Sequence, residues 1–359
     1  MKFKLCFLFL WILCPFSFTQ VSKVNEFQVF DGEAEYAYRP FLRTGQGEIL
    51  QKVPFKFFGS FGVIKGIRAV IQDQNASTSE TVWVVIRKAD STGKPDISSQ
   101  GIILKKGPYR ISGQGTGSRA WNFYFSFSNT ITPPKGDFYY GVLLSPGRSN
   151  SDFTSVHMSG DYPNNKCGEH PRKGVVPNLA WKVVYSGGKP ASTSSLSYNL
   201  AWDMGLLFDK PVMQAYSVDP KSKCLKKRNL KDFGYAGVWP DLLDKEGYGY
   251  KAKIGWRIRD INQANKNYVK GFIFLSSKKL LNPYYIPGFG YWYLDPNDPW
   301  FGLVIVVSFD YFGDGKTNPF DLPDIMRNLL IGTDLFAQSL IYNPILSSFC
   351  LTSFCGMNF

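Results

Sequence analysis

The residues of this chain best suited to bind a ligand are concentrated in the stretch YWYLDPNDPW, residues 291–300, just after NPYYIP. Aromatic rings beside carboxylates and an amide suit sugars, because the rings stack on apolar sugar faces while the polar groups bond hydroxyls. The candidate ligand-binding residues are Tyr291, Trp292, Tyr293, Trp300, Asp295, Asn297 and Asp298. The alternative is that the rings fill the end of a sandwich or seal two modules together, since rings gain most from burial.

A candidate basic surface lies in YKAKIGWRIR, residues 250–259, where basic and apolar residues alternate. In a strand, this spacing sets an apolar face against a basic one. The basic members are Lys251, Lys253, Arg257 and Arg259. Such a face attracts anionic polysaccharide, and the formal net charge of +13 favours acidic partners in general. A solvated face without a ligand is the alternative, and no motif indicates a nucleic-acid partner.

Metal sites are only weakly indicated. The stretch FDYFGDGKTNPFD offers Asp310 and Asp314 as oxygen ligands for calcium, but its spacing does not match a calcium loop, and Asp-Gly and Asn-Pro are ordinary turn formers. The chain contains two histidines, and the single CGEH pair of Cys167 and His170 supplies too few ligands for structural zinc. We therefore expect no cofactor, with calcium as the one cation that has candidate ligands.

Catalytic motifs are not recognisable in the sequence. It contains no G-x-S-x-G elbow, no H-E-x-x-H helix and no P-loop. A glycoside hydrolase remains an alternative, because its two carboxylates converge in space and leave no fixed spacing in the sequence. The composition therefore favours a non-catalytic protein without excluding that enzyme class.

The first nineteen residues have the pattern of a secretory signal peptide. Lys2 and Lys4 precede the apolar run 5–13, and Ser17 and Thr19 are the small residues that a signal peptidase accepts. We expect residues 1–19 to be removed and the protein to be extracellular or periplasmic. The apolar stretch FGLVIVVSF, 301–309, is too short to span a bilayer and suits a buried strand.

Four cysteines remain after removal of the signal: Cys167, Cys224, Cys350 and Cys355. An even number in an oxidising compartment predicts two disulfides, with three pairings open. A local Cys350–Cys355 bridge and a longer Cys167–Cys224 bridge are the preferred combination.

The elements that must position these residues are strands. In WNFYFSFS, Trp121, Phe123, Phe125 and Phe127 share one face, and turn sequences such as TPPKGD and DPNDP separate similar stretches. Short alternating strands without helical crossovers predict an all-β protein of two tandem β-sandwich modules, jelly-roll-like or immunoglobulin-like. One short helix is indicated over residues 322–330.

A basic, proline-marked run after residue 210 suggests where one module ends. The predicted divisions are a signal peptide 1–19, an N-terminal sandwich 20–212, a C-terminal sandwich 213–347 and a C-terminal tail 348–359 that carries CLTSFC.

Three stretches of the C-terminal half, WRIRDINQANKNYVKGFIFLSS, IPGFGYWYLDPND and LPDIMRNLLIGTDLFAQSLIYNP, carry a family resemblance. Together they resemble the C-terminal β-sandwich module of large exported proteins of planctomycetes and other aquatic bacteria. Tyr291 stands where that family often has cysteine, and PDIMRN is longer than its counterpart. The resemblance implies an exported β-sandwich of unknown function, with no established catalytic residues.

The sequence thus favours a secreted bacterial binding protein without catalytic activity, whose partner is an extracellular polysaccharide, neutral or anionic, or another surface protein. A structural or adhesive scaffold with no small ligand is one alternative. A glycoside hydrolase with an unrecognised carboxylate pair is the other.

Overall fold

The computed structural model describes residues 25–28, 36–53, 62–160, 180–196, 200–218, 253–302, 304–311, 313–318 and 333–358. Strands form nearly all the regular structure of these ranges, and the helical segments there are two 3-10 turns, Ser99–Gly101 and Ile261–Gln263. The predicted all-β class is confirmed. The predicted signal peptide and the short helix over 322–330 lie outside the described residues. None of the described helical segments is long or apolar enough to cross a bilayer.

Two antiparallel sheets are formed by strands between residues 25 and 208. The seven-stranded sheet contains β1 (Asn25–Gln28), β2 (Tyr36–Tyr38), β4 (Ile64–Asp73), β7 (Arg119–Ile131), β9 (Thr154–Gly160), β12 (Leu200–Trp202) and β13 (Met204–Phe208). The six-stranded sheet contains β3 (Gly47–Val53), β5 (Ser79–Lys88), β6 (Ile102–Ser112), β8 (Phe138–Leu144), β10 (Ala180–Ser186) and β11 (Lys189–Ser195). In the seven-stranded sheet the strand order is β1-β13-β4-β9-β12, and in addition β2 pairs with β9 and β7 pairs with β4. In the six-stranded sheet the order is β11-β10-β3-β8-β5-β6.

The alternation seen in the sequence sets which side chains enter the core between these sheets. On β7 the aromatic residues of the predicted face, Trp121, Phe123, Phe125 and Phe127, are at least half-buried, and Phe125 is the most buried of them. The residues between them, including Tyr124, are exposed. On β4, Ile67, Ala69 and Ile71 are fully buried. Strand β8 is buried along its whole length, as expected for a central strand covered on both faces.

Three further sheets are formed by strands after residue 211. The first is a three-stranded sheet in the order β14 (Val212–Val218), β15 (Lys253–Arg259) and β20 (Asp314–Lys316). The second is a four-stranded sheet in the order β19 (Val304–Ser308), β16 (Lys270–Ser276), β21 (Asp334–Asn343) and β22 (Ser348–Asn358). The third is a hairpin of β17 (Lys279–Ile286) and β18 (Gly290–Leu294). Within the described ranges, no strand pairing joins these sheets to the two N-terminal ones.

The hydrophobic core is nevertheless continuous. One cluster of buried apolar residues extends from Phe27 to Cys355 and passes through Val212 and Met213 at the start of β14. The backbone N–H of Met213 donates to the Ser353 hydroxyl on β22 at 3.1 Å. The division of the chain into two independent modules at residues 212 and 213 stays a prediction.

Residues 348–358 are a strand, and the predicted C-terminal tail is therefore wrong. The Asn343 side chain accepts the backbone N–H groups of Ile345 and Leu346, which turns the chain back beside β21. Strand β22 then pairs with β21 from Asn343↔Ser348 to Asp334↔Asn358. The reason is non-local: this segment has an apolar face that only the neighbouring sheet can cover.

Candidate ligand-binding site

The β17–β18 hairpin positions the tyrosines of the candidate site. Its register places Tyr284 opposite Trp292, Tyr285 opposite Tyr291 and Ile286 opposite Gly290. The turn is closed by a 3.0 Å hydrogen bond from the Phe289 N–H to the Ile286 carbonyl. Tyr285 and Tyr291 are therefore held together by backbone pairing close to a tight turn.

Two of the four predicted binding rings are core residues. Trp292 and Tyr293 are 9% and 7% exposed, and Trp292 packs edge-on against Phe274 with ring centroids 5.4 Å apart. The Trp292 Nε1–H donates to the Leu294 carbonyl at 2.7 Å, so its polar atom is satisfied inside the protein. Tyr293 lies against Phe354 at 5.0 Å. These two rings fill a small second core. Trp292 is therefore unavailable to a ligand, and only an edge of Tyr293 reaches the cleft described below.

The exposed rings of the hairpin are tyrosines. Tyr291 is 46% exposed and its cross-strand partner Tyr285 is 59% exposed, and their centroids are 5.3 Å apart with ring planes inclined by 60°. Tyr284 is also exposed, at 47%. The sequence placed Tyr291 in the candidate set but left Tyr285 out, although NPYYIP carried the signal. Cross-strand register brings the pair together.

A cleft of about 140 Å³ opens beside this pair. Tyr291, Tyr293 and Phe289 form its aromatic side, while the exposed Lys210 contributes a positive charge. Thr352 and Ser353 line the opposite side, and their hydroxyls accept backbone N–H groups of neighbouring strands. Among the residues that the structure describes, no carboxylate side chain lines the cleft. The cleft is thus apolar and aromatic, with a cation at its edge.

The acidic residues after β18 shape the turn. Asp298 is buried, and its carboxylate accepts hydrogen bonds from the Ser276 hydroxyl at 2.6 Å and from the Ser277 N–H at 2.5 Å. Burial raises the pKa of Asp298, but these hydrogen bonds outweigh it, and the pKa lies below its ordinary value. Asp295 accepts the Asn297 N–H at 2.9 Å. Asp295 and Asp298 therefore brace the turn, and Asn297 is exposed on it.

Trp300 ends the predicted stretch and is 39% exposed. Its backbone N–H donates to Asp298 at 3.4 Å, which fixes the end of the same turn. Of the predicted ligand-binding residues, Tyr291, Asn297 and Trp300 therefore present exposed side chains.

Of the two arginines predicted as a basic surface on β15, Arg257 is not on the surface, and the Arg259 side chain is 21% exposed. Arg257 is buried and donates from Nε and Nη2 to the two Asp314 oxygens at 2.9 and 2.8 Å, and Arg259 Nη1 lies 2.9 Å from Asp314. Strand β20 supplies this carboxylate, since Arg259 pairs with Asp314 in register. Lys251 lies outside the described residues, and of Lys253 the structure gives only the backbone, paired with Val218.

The predicted calcium ligands Asp310 and Asp314 are engaged in other contacts. Both Asp314 oxygens face guanidinium groups, and Lys316 Nζ lies 3.5 Å away. Burial raises the pKa of Asp314, and the cations, Arg257 first, outweigh it and bring the pKa below its ordinary value. Asp310 Oδ1 accepts the Asp314 N–H at 2.9 Å. Arginine occupies the oxygens that a calcium ion would need.

The predicted Cys350–Cys355 disulfide is wrong, since both thiols are unbonded. They lie on β22 opposite Ile341 and Ala337, positions four residues apart on β21. At ~3.3 Å per residue their Cα atoms are about 13 Å apart, well beyond the ~7 Å that a disulfide spans. Cys167 and Cys224 lie outside the described residues.

These thiols are expected to resist alkylation in the native protein. Burial, reinforced by Asp260, raises the pKa of Cys350 to about 12, and burial raises the pKa of Cys355 further. At pH 8 the thiolate fraction of Cys350 is then roughly 10⁻⁴, so iodoacetamide should react about 10³-fold more slowly than with an ordinary exposed thiol. Mass spectrometry of native and denatured samples measures this. Modification of the denatured protein only after reduction would show a disulfide instead.

Comparisons with known proteins do not place the chain in a family. No family model matches it, and no curated protein matches it. The cysteine protease and lectin-like domains of Cwp84, a surface-layer-associated protein of Clostridium difficile, align at TM-score 0.30 and 9% identity, over 45% of this chain and 32% of that one.

Two further solved structures align at a similar level. The clostridial protease Cwp84 after propeptide cleavage gives TM-score 0.33 and 11% identity, over 52% of this chain and 40% of that one. A Bifidobacterium dentium β-glucuronidase complexed with coumarin-3-O-glucuronide gives TM-score 0.23 and 8% identity, over 94% of this chain and 46% of that one. The chain spans a third to a half of the length of the proteins it matches. Likenesses of this extent do not bear on its function, and the resemblance to the planctomycete module stays a prediction.

Proposed function

We propose that this protein is a secreted binding protein without catalytic activity, which holds an extracellular polysaccharide on its β17–β18 hairpin. The observation that carries the proposal is the exposed pair of Tyr285 and Tyr291 beside an aromatic cleft. Exposed apolar side chains that are grouped on one surface, as Tyr284, Tyr285 and Tyr291 are on this hairpin, are the kind of feature that marks an interaction site.

The geometry of the pair suits a sugar. The two rings pack against each other at 5.3 Å and present an exposed aromatic surface on which the apolar face of a pyranose can stack, and each phenolic hydroxyl supplies a hydrogen-bonding group. Tyrosine has few rotatable bonds, so ordering it against a ligand loses little entropy. The hairpin holds both rings before binding, which reduces that loss further.

The charge of the cleft favours an acidic sugar. Lys210 lines the cleft, and no carboxylate accompanies it there. A uronic or sulfated residue stacked on Tyr291 places its anion near this ammonium group. The formal net charge of +13, which becomes +11 when Lys2 and Lys4 are removed with the predicted signal, attracts an anionic chain over longer distances. The anionic ligand therefore depends on Lys210 in place of the β15 arginines, which are both engaged with Asp314.

The two alternatives account for less of this geometry. A scaffold without a ligand explains the buried Trp292 and Tyr293 but not the exposed tyrosine pair. A glycoside hydrolase needs two carboxylates about 5–10 Å apart in one cleft. The cleft beside Tyr291 is lined by none.

Binding is expected to depend on the tyrosine pair. Tyr285→Ala and Tyr291→Ala should each lower affinity for polygalacturonate or a sulfated polysaccharide about tenfold, because each removes one stacking face worth ~1–2 kcal/mol. A glycan array followed by calorimetry measures the change. The matched control is Tyr124→Ala, which removes a 39% exposed tyrosine from β7 in another sheet.

Lys210→Ala separates charge from stacking. It should weaken binding of the anionic chain and leave binding of a neutral glucan unchanged, with the loss shrinking as salt rises. Unaltered binding by both tyrosine variants, with melting temperatures like that of the wild type, would remove the hairpin from the proposal. Capture of a surface protein in place of any glycan would identify a different class of partner.

A further inference from the structure

Three carboxylates meet inside the N-terminal sheets, away from the hairpin. Asp73 ends β4, Glu80 lies near the start of β5, and Asp152 precedes β9. One oxygen from each lies within 4.8 Å of the others, and the residues are 0%, 5% and 8% exposed. None of them belonged to the ligand sets suggested by the sequence, because residues far apart in the chain form the cluster.

The charge of this cluster is poorly balanced by the protein. The one ion pair to it within the described residues joins Glu80 to Arg148 at 3.6 Å, and the Arg148 side chain is 58% exposed. Arg39 is close enough to interact with Glu80, but its guanidinium donates to backbone carbonyls, including those of Thr154 and Ser145 at 2.8 and 2.9 Å. Burying like charges together is costly.

Unused oxygens converge on the same place. Asp73 Oδ2 and Glu80 Oε2 are buried and accept no hydrogen bond from the described residues. Independently, the Thr154 hydroxyl is fully buried without a partner in the same ranges. Thr154 pairs with Asp73 in register, so both side chains leave the sheet on one face. That face points into the core, since Ile71 on β4 and Val156 on β9, each two residues along, are fully buried. Several buried oxygens without partners at one place require an explanation, and a bound water or ion is one that satisfies all of them together.

We propose that Asp73, Glu80 and Asp152 bind a calcium ion, with the Thr154 hydroxyl as a neutral ligand. The donors are all oxygens, which selects a hard cation over zinc or copper. Carboxylates that can bind through one or both oxygens provide the six to eight ligands and flexible geometry of calcium better than the strict octahedron of magnesium.

The ion would connect β5 of the six-stranded sheet to the paired strands β4 and β9 of the seven-stranded sheet. Asp73 also accepts the Asn75 N–H at 2.9 Å, and Asp152 accepts the Thr78 hydroxyl at 2.8 Å, so both ends of the β4–β5 connection are already tied to the cluster. Calcium would complete this link and neutralise its charge. The expected role is structural, and it is independent of the glycan proposal.

The test uses the full chain after treatment with EGTA, titrated with calcium chloride and with magnesium chloride as a separate arm. Calcium should bind with Kd on the order of 10⁻⁴–10⁻³ M, as in other extracellular sites. At a tenfold excess over Kd it should raise the melting temperature by about 3–6 °C. Isothermal calorimetry without any glycan supplies the affinity.

Variants locate the ion. Glu80→Gln keeps the shape of the side chain but removes a charged ligand, and should weaken calcium binding about tenfold or more. Asp152→Asn is the second variant, in case the first folds poorly. Asp137→Asn is the control, because it removes a carboxylate that pairs with Lys52 on β3 and does not belong to the cluster.

The outcomes are distinct. A calcium-dependent rise in melting temperature that Asp137→Asn keeps and Glu80→Gln loses supports the site. No effect of calcium on the wild type, or equal affinity in Glu80→Gln, overturns it and leaves the carboxylates to share protons. An equal effect of magnesium overturns the assignment to calcium.

Discussion

Replacing Arg87 with methionine is expected to lower the free energy of unfolding by about 3–5 kcal/mol. Arg87 on β5 donates from Nε and Nη2 to Glu48 on β3 at 2.6 and 2.7 Å, and both side chains are 0% exposed. Its Nη1 also donates to the Asp96 carbonyl at 2.8 Å. Removing the arginine leaves a buried carboxylate that only the Tyr185 hydroxyl still contacts among the described partners of Glu48. The loss is large because an uncompensated buried charge remains.

Urea unfolding of Arg87→Met, Glu48→Leu and the double variant measures this effect. The double variant should recover most of the loss, because it removes both charges and fills the same space. Lys52→Met is the matched control, since its ion pair with Asp137 at 2.8 Å is more exposed and should contribute about 0–1 kcal/mol. If the single Arg87 variant is as stable as the control, the pair is not desolvated as the structure shows.

Replacing Trp292 with alanine is expected to cost about 3–5 kcal/mol of unfolding free energy. The ring lies edge-on to Phe274 and to Phe301, at 5.4 and 5.9 Å, in the second core beneath the hairpin. Truncation there removes the ring contacts, leaves a cavity and frees the Leu294 carbonyl. Trp292→Ala is therefore a stability variant and is unsuited to testing ligand contact.

Trp300→Ala is the comparison for that experiment. Its ring is 39% exposed, so the same substitution should cost about 1 kcal/mol or less. Thermal and urea unfolding of the two variants separate the roles of the tryptophans. A similar loss at both positions would contradict the partition of this stretch into buried and exposed rings.

The arginines of β15 show why the basic surface was wrongly predicted. The sequence correctly marks Ile254, Trp256 and Ile258 as one face, and all three are buried. It gives no sign that the other face is covered as well. Asp314 reaches Arg257 because β20 pairs with β15 across more than fifty residues of chain, and alternation within one strand carries no information about such a partner.

The tyrosine pair and the acidic cluster illustrate the same limit. Tyr285 and Tyr291 are close in sequence, and a hairpin with a short turn could have been anticipated from GFG, residues 288–290. The cleft beside them is lined in part by β22, which the sequence suggested to be a tail. Asp73 and Asp152 are far apart along the chain, and only the pairing of β4 with β9 brings them close together in space.

The sequence alone determined the all-β class, because burial on one face of a pleated strand imposes a period of two that is visible residue by residue. It also marked the aromatic stretch and the DPNDP turn that follows it, since proline and aspartate fix local backbone geometry. Tertiary structure alone decided the hairpin partner of that stretch, which rings are exposed, which arginines face a carboxylate and which carboxylates meet. Those outcomes depend on strand register and on the packing of sheets from distant segments, and such non-local contacts leave no local pattern in the chain.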